Sequence, residues 1–276
     1  MQKLFFIFSI IFFISCEEVT IPITDVVIEP TEKVVLREEL TGAKCPNCPK
    51  GTKAIENIIE KHTKNVIAVG IHGSFLAEPV NKDDPDFRNE DAKNLENWFR
   101  PWFGKPAASI QRQKEVLGEE SYFVFDNPDL WQAKVEEELQ KPLELNLFMD
   151  ISYNETSREI AIDFAANPLV NLNGDYNISI YVTESHIKAG QANGTVFIDD
   201  YEHNHVLRKI ITDYSGSFFA KDMVKGGIIK KQFTYTLPQE TADLNKHEHT
   251  SIVAFIHKSG TSNRDVIQAI SKYLVE

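Results

Sequence analysis

Apolar residues recur along the first half of this chain in two rhythms, short unbroken runs and stripes spaced three or four apart. Val34 to Leu40 has the composition of a strand, closed by Thr41-Gly42. From Pro49 to Lys64, Ile55, Ile58, Ile59 and His62 fall on one face of a helix. Val66 to Ile71 is an almost continuous apolar run, the signature of a strand buried on both faces. Asn81 to Arg88 is polar and broken by Pro85, hence a loop, and Ala92, Leu95, Trp98 and Phe99 mark a second helical face. Pro106 to Gln113 reads as a third strand. Asn127 ahead of Pro128 is a helix start, followed by Trp131, Val135 and Leu139 at spacing four. The alternation of strand and helix predicts an α/β unit over residues 33–141.

After Pro142 the period changes to two. Leu143, Leu145, Leu147, Met149, Ile151 and Tyr153 alternate with polar residues, and so do Ile160, Ile162, Phe164 and Ala166. Tyr176 to Val182, Phe233 to Leu237, Ser251 to His257 and Val266 to Leu274 continue the pattern. Six or more such strands predict an all-β, immunoglobulin-like antiparallel sandwich over residues 142–276.

The first sixteen residues follow neither rhythm. Lys3 precedes a run from Leu4 to Ile14 that only Ser9 interrupts, and Ser15 stands before Cys16. A bilayer span needs roughly 20 apolar residues, so this segment has the length of a signal peptide core instead. A cysteine at the cleavage position predicts a lipoprotein, anchored to a membrane by acyl chains on Cys16 and exported to the cell envelope. Residues 17–32, with Pro22 and Pro30, read as a tether.

Charge narrows the partners. The chain has 29 basic and 41 acidic side chains. Loss of Lys3 with the signal segment leaves 28 − 41 = −13. Such acidity opposes nucleic-acid binding, which relies on Lys and Arg to neutralise phosphates. With Cys16 spent on the anchor, the remaining thiols are Cys45 and Cys48, either a redox pair or a local disulfide in an oxidising compartment.

Cys45-Pro46-Asn47-Cys48 sits between a buried-type strand and an amphipathic helix. That context predicts Cys45 at a helix N-terminus, where free backbone N–H groups and the nearby Lys44 and Lys50 favour a thiolate within reach of solvent. Cys48 would resolve a mixed disulfide. Glu39, six residues before Cys45, is a candidate proton acceptor if burial raises its pKa, and the pleat lets only one of Glu38 and Glu39 face the site. A cis peptide at Pro106 would set backbone beside the sulfurs. His72, at a strand end, is a candidate for the cleft. Zinc is not expected: after Cys45, Cys48 and His62, the next histidine, His72, is too distant for finger spacing. His203, His205, His247 and His249 are assigned no ligand, Asp83, Asp84 and Asp86 read as a solvated loop, and no cofactor is expected.

The CPNC motif after a strand, with its acidic residue and later proline, resembles the thioredoxin-like fold. The longer run from Val34 to Gly51, with Val69-Gly70-Ile71-His72 and His203 to Arg208, is similar to the outer membrane protein twenty-eight family. That family comprises lipoproteins with a thioredoxin-like domain followed by a β-sandwich. The resemblance implies an outer-membrane location and either thiol–disulfide activity on envelope proteins or an adhesin-like role, with self-association a further expectation. Lys105 departs from the thioredoxin pattern, in which Thr, Ile or Val precedes the proline.

Overall fold

The computed structural model describes residues 31–117 and 120–275. Cys16, the signal segment and nearly all of the tether lie outside the described residues. The chain runs β1 (Val35–Leu40), α1 (Cys48–Lys61), β2 (Val66–Ile71), α2 (Glu90–Trp98), β3 (Ala107–Ile110), β4 (Glu115–Leu117), β5 (Glu120–Tyr122) and α3 (Trp131–Leu139). It continues with β6 (Leu145–Asn154), β7 (Glu159–Pro168), β8 (Leu172–Glu184), β9 (Ile187–Asn193), β10 (Val196–His203) and β11 (Val206–Ile210). The last strands are β12 (Ser217–Met223), β13 (Ile229–Thr236), β14 (Thr250–Lys258) and β15 (Val266–Tyr273). No helix among the described residues is long and apolar enough to cross a membrane.

The molecule is mostly β, in several sheets. The largest has the order β15-β14-β8-β11-β2-β1-β3, with β12 also paired to β8. Pro142 marks a change of element type, but strands from both sides of it share this sheet. The join is short: Val206 of β11 pairs in parallel with Gly70 of β2, and Gly70 N–H donates to His205 O at 2.8 Å. The two end strands also approach one another, because Val266 N–H donates to Gln111 O at 2.9 Å. A second sheet, β13-β7-β6, packs face to face on the β8 and β14 half. Leu147, Ile162 and Phe164 from one layer meet Ile180, Ile252 and Ala254 from the other, a sandwich-like core built by period-two alternation.

The β1-β2-β3 region is covered on both faces, as the unbroken apolar runs require. Ile55 and Ile58 of α1, with Trp131 and Val135 of α3, cover one face. Ala92, Leu95 and Phe99 cover the other. The pleat of β1 therefore sends Glu38 and Glu39 to opposite sides. Glu38 accepts two bonds from Arg112, at 2.7 and 2.8 Å, and a third from Tyr181 Oη at 2.9 Å, all buried. Glu39 faces α1.

Candidate functional site

β1 ends at Leu40, and the next seven residues turn the chain into α1. Asn47 is the N-cap, Cys48 the first helical residue, and Pro49 occupies the first turn, where its missing N–H costs nothing. Cys45 thus lies in the turn before the helix, and Cys48, rather than Cys45 as the pattern suggests, begins it. The two form a disulfide with Cα atoms 5.3 Å apart. Both are buried, Cys45 at 0% and Cys48 at 1% exposure. The expected solvent access of the pair is therefore absent in this conformation.

Leu76, after β2, holds one side of the cysteine loop by accepting from Lys44 N–H at 3.0 Å, and the rest of the cover comes from the far side of the chain. β9 and β10 form a two-stranded ribbon outside the main sheets. Ala192 N–H donates to Ala43 O at 2.8 Å, and Gly194 N–H donates to Pro46 O at 2.9 Å. The Gln191 amide Nε2 donates to Gly42 O at 3.2 Å and Cys45 O at 3.0 Å. The ribbon is clasped on its other side by Asp84, whose carboxylate accepts from Gly190 N–H at 3.2 Å. Asp84 is thus a pin for β9 rather than a solvated loop residue.

Beneath the disulfide, Gly51 is one turn inside α1 and on the same helix face as Cys48. A Cβ there would come within 2.4 Å of Glu39 Oε1 and 2.8 Å of Pro106 Cβ. Glycine lets α1, Glu39 and Pro106 meet. Burial raises the Glu39 pKa to about 7, against the opposing charges of Arg37 and Lys105. Glu39 Oε1 has no hydrogen-bond partner. The Lys105–Pro106 peptide is cis. Lys105 points inward, its Nζ 3.0 Å from Glu96 Oε1 and donating to Thr41 O and Phe75 O at 2.8 and 2.7 Å. Burial lowers its pKa.

His72 is buried at the end of β2, edge-on to Phe87 and His203. Burial drives its pKa well below the usual histidine value, and that of His203 to about 4, so both imidazoles are neutral at pH 7. Glu39, His72, Gln191, Tyr201 and His203 are among the residues that line one cavity. His62 caps the opposite end of α1, far from the sulfurs. Among the described residues, Glu240, His247 and Glu248 bring potential metal-ligating atoms together, but Glu240 is already paired with Arg158 at 3.2 Å.

The fold and site define a β-rich protein in which a buried disulfide opens a helix whose next turn packs on a protonatable carboxyl. Residues 95–275 match the family model of outer membrane protein Omp28, and the chain belongs to that family. Its place is the outer membrane. The match begins beyond the CPNC motif. The fold is similar to that of HBP35 of Porphyromonas gingivalis, with a TM-score of 0.69 and 18% identity, over 89% of this chain and 76% of that one. A protein of Agrobacterium tumefaciens is also similar, with a TM-score of 0.55 and 12% identity, over 89% of this chain and 97% of that one. No curated protein matches in sequence.

Proposed function

We propose that this protein is a lipid-anchored outer-membrane lipoprotein, attached through Cys16, that carries a thioredoxin-like CPNC site for thiol–disulfide exchange with envelope proteins. One observation carries the redox part: a disulfide that ends at a helix start, one turn before the Gly51 against which the buried Glu39 carboxyl packs with a pKa near 7. The β1-α1-β2 arrangement, with β3 antiparallel to β1 and opened by Pro106, supports the thioredoxin-like reading. In the reductive half, a partner thiolate attacks Cys45 Sγ and the Cys45–Cys48 bond breaks. Cys48 leaves as a thiolate and takes the proton of Glu39. A second partner thiol, deprotonated by the Glu39 carboxylate, attacks the mixed disulfide. The partner departs as a disulfide, and Cys45 leaves as a thiolate that takes from solvent the proton released when the first partner thiol ionised. Two thiols are oxidised and one disulfide is reduced.

A second reading is favoured by the burial of both sulfurs: a surface-binding lipoprotein in which CPNC is a structural clamp. Equilibration of the full chain across a glutathione series separates them. A potential below roughly −300 mV with no dithiol exchange leaves only the clamp. A partner trapped as a mixed disulfide by Cys48→Ser establishes exchange. Mass spectrometry of the mature N-terminus tests the anchor: the proposal requires acyl chains on Cys16.

A further inference from the structure

We infer that the β9–β10 hairpin is a displaceable cover seated where a partner's extended strand must lie, so that the CPNC disulfide reacts only when the hairpin lifts. This rests on the thiol–disulfide reading above. The contact has the form of strand addition. Two hairpin N–H groups, from Ala192 and Gly194 at spacing two, donate to the carbonyls of Ala43 and Pro46 on the cysteine loop. A segment that replaces the hairpin must therefore be extended, present alternate backbone N–H groups and carry small side chains. Ala189, Gly190 and Ala192 have that character. Gly190 requires it: a Cβ there would come within 2.6 Å of Asp84 Oδ2 and 2.7 Å of Val80 Cβ.

The hairpin is built to come away without unfolding the sheets. Among the described residues β10 pairs with no strand except β9, and its residues 196–200 are exposed. The β9–β10 register slips between Ile198 and Tyr201, which places an irregularity between the tip and the base, where Tyr201 is half-buried and His203 buried. Opening beyond that point breaks the bonds to the cysteine loop while the base stays packed. The tip is held to the cysteine loop by four hydrogen bonds, two from backbone and two from Gln191, and not by pairing to the main sheets, so it opens more readily than the core strands. The partner class follows: an unfolded or loop segment of an envelope protein that bears cysteine, rather than a small-molecule thiol. The seat demands backbone donors, which glutathione cannot supply in register.

The test uses the oxidised full chain and dithiothreitol, with the freed thiols counted by alkylation. Wild type is expected to reduce at a rate that stops rising at high reductant, because opening limits it. Ala192→Pro removes the N–H that reaches Ala43, and is expected to speed reduction about tenfold. A single rate for both, linear in reductant throughout, overturns the cover. Hydrogen exchange on wild type supplies a readout independent of the variant. The amides of Ala192 and Gly194 are expected to exchange faster than those of β8 and β14. Exchange only at the rate of the core strands overturns the proposal. A peptide of the sequence Lys188–Gly194 followed by one cysteine is expected to form a mixed disulfide faster than the same peptide N-methylated at its second alanine; equal rates overturn the seat. A hairpin that opens over a pair that exchanges with no dithiol keeps the cover and removes the redox role.

Discussion

Gly51 of α1 lies against Glu39 of β1 so closely that a methyl group added to the glycine would stand 2.4 Å from the carboxylate oxygen. The same methyl would meet the Pro106 ring at 2.8 Å. Helix propensity alone favours alanine over glycine by about 1 kcal/mol. Overpacking at a buried junction costs about 1–3 kcal/mol. The glutamate tip can swing aside; the proline ring cannot. Gly51→Ala is therefore expected to destabilise the chain by about 1 kcal/mol net. Urea melts check this, and a stabilised variant would show that α1 does not sit as described.

Glu39 should leave a mark on the pH dependence of stability. Its folded pKa is raised from 4.5 to about 7, so the native state holds a proton that the unfolded chain releases. That extra proton lowers stability progressively as pH rises from the unfolded value to the folded one. The loss is complete above the folded value, on the order of 3 kcal/mol in all. Glu39→Gln cannot lose this proton. The stability of the variant relative to wild type is expected to grow between pH 5 and pH 8, read from denaturant midpoints. Parallel profiles for the two proteins would remove Glu39 from the candidate site.

Much of this site is written locally in the sequence. The strand before CPNC, the helix after it, and the parting of Glu38 and Glu39 to opposite faces follow from period and pleat, as does the sandwich-like core from residue 145 onward. The cover does not. Gln191 binds Cys45 O across 146 residues of sequence, and no local rhythm announces such a contact. β9 escapes the pattern because the cysteine loop and Asp84 select small residues there, which removes the branched and aromatic side chains by which strands are recognised. A signal was nevertheless present. Gly194-Thr195 between two paired strands is a Gly-first hairpin turn, with Gly194 at φ +60°. The single sheet that crosses Pro142 was likewise hidden, since β11 and β2 register through one residue pair, Val206 and Gly70.

Lys105 stands before the cis proline with its side chain fully buried, and Glu96 is its counterion. Glu96 also accepts from Ser74 N–H, so the pair ties the proline loop to α2 and to the turn after β2. Lys105→Met would leave a buried carboxylate without its cation, at a cost of about 3–5 kcal/mol. The double variant with Glu96→Gln is expected to recover a large part of that loss, because the stranded charge is gone. Equal instability of the single and double variants would mean that the two carbonyl acceptors, not the ion pair, are what Lys105 serves. The single variant should also raise the Glu39 titration further, since Lys105 is one of the cations holding it down.

The stability of the reduced chain decides between exchange and clamp. Cys45 and Cys48 are separated by three positions, so the loop their bond closes is short. Closure of so small a loop withdraws little entropy from the unfolded state, on the order of 2 kcal/mol. Stability and reducibility are linked through one cycle: the more the disulfide stabilises the fold, the harder the fold makes it to reduce. A pair poised for exchange must therefore gain little beyond the loop term. Urea unfolding with and without a phosphine reductant is expected to show the reduced chain less stable by about 2 kcal/mol or less. A difference of about 4 kcal/mol or more would mean that the covered loop packs correctly only when the sulfurs are joined, and CPNC would then be a clamp.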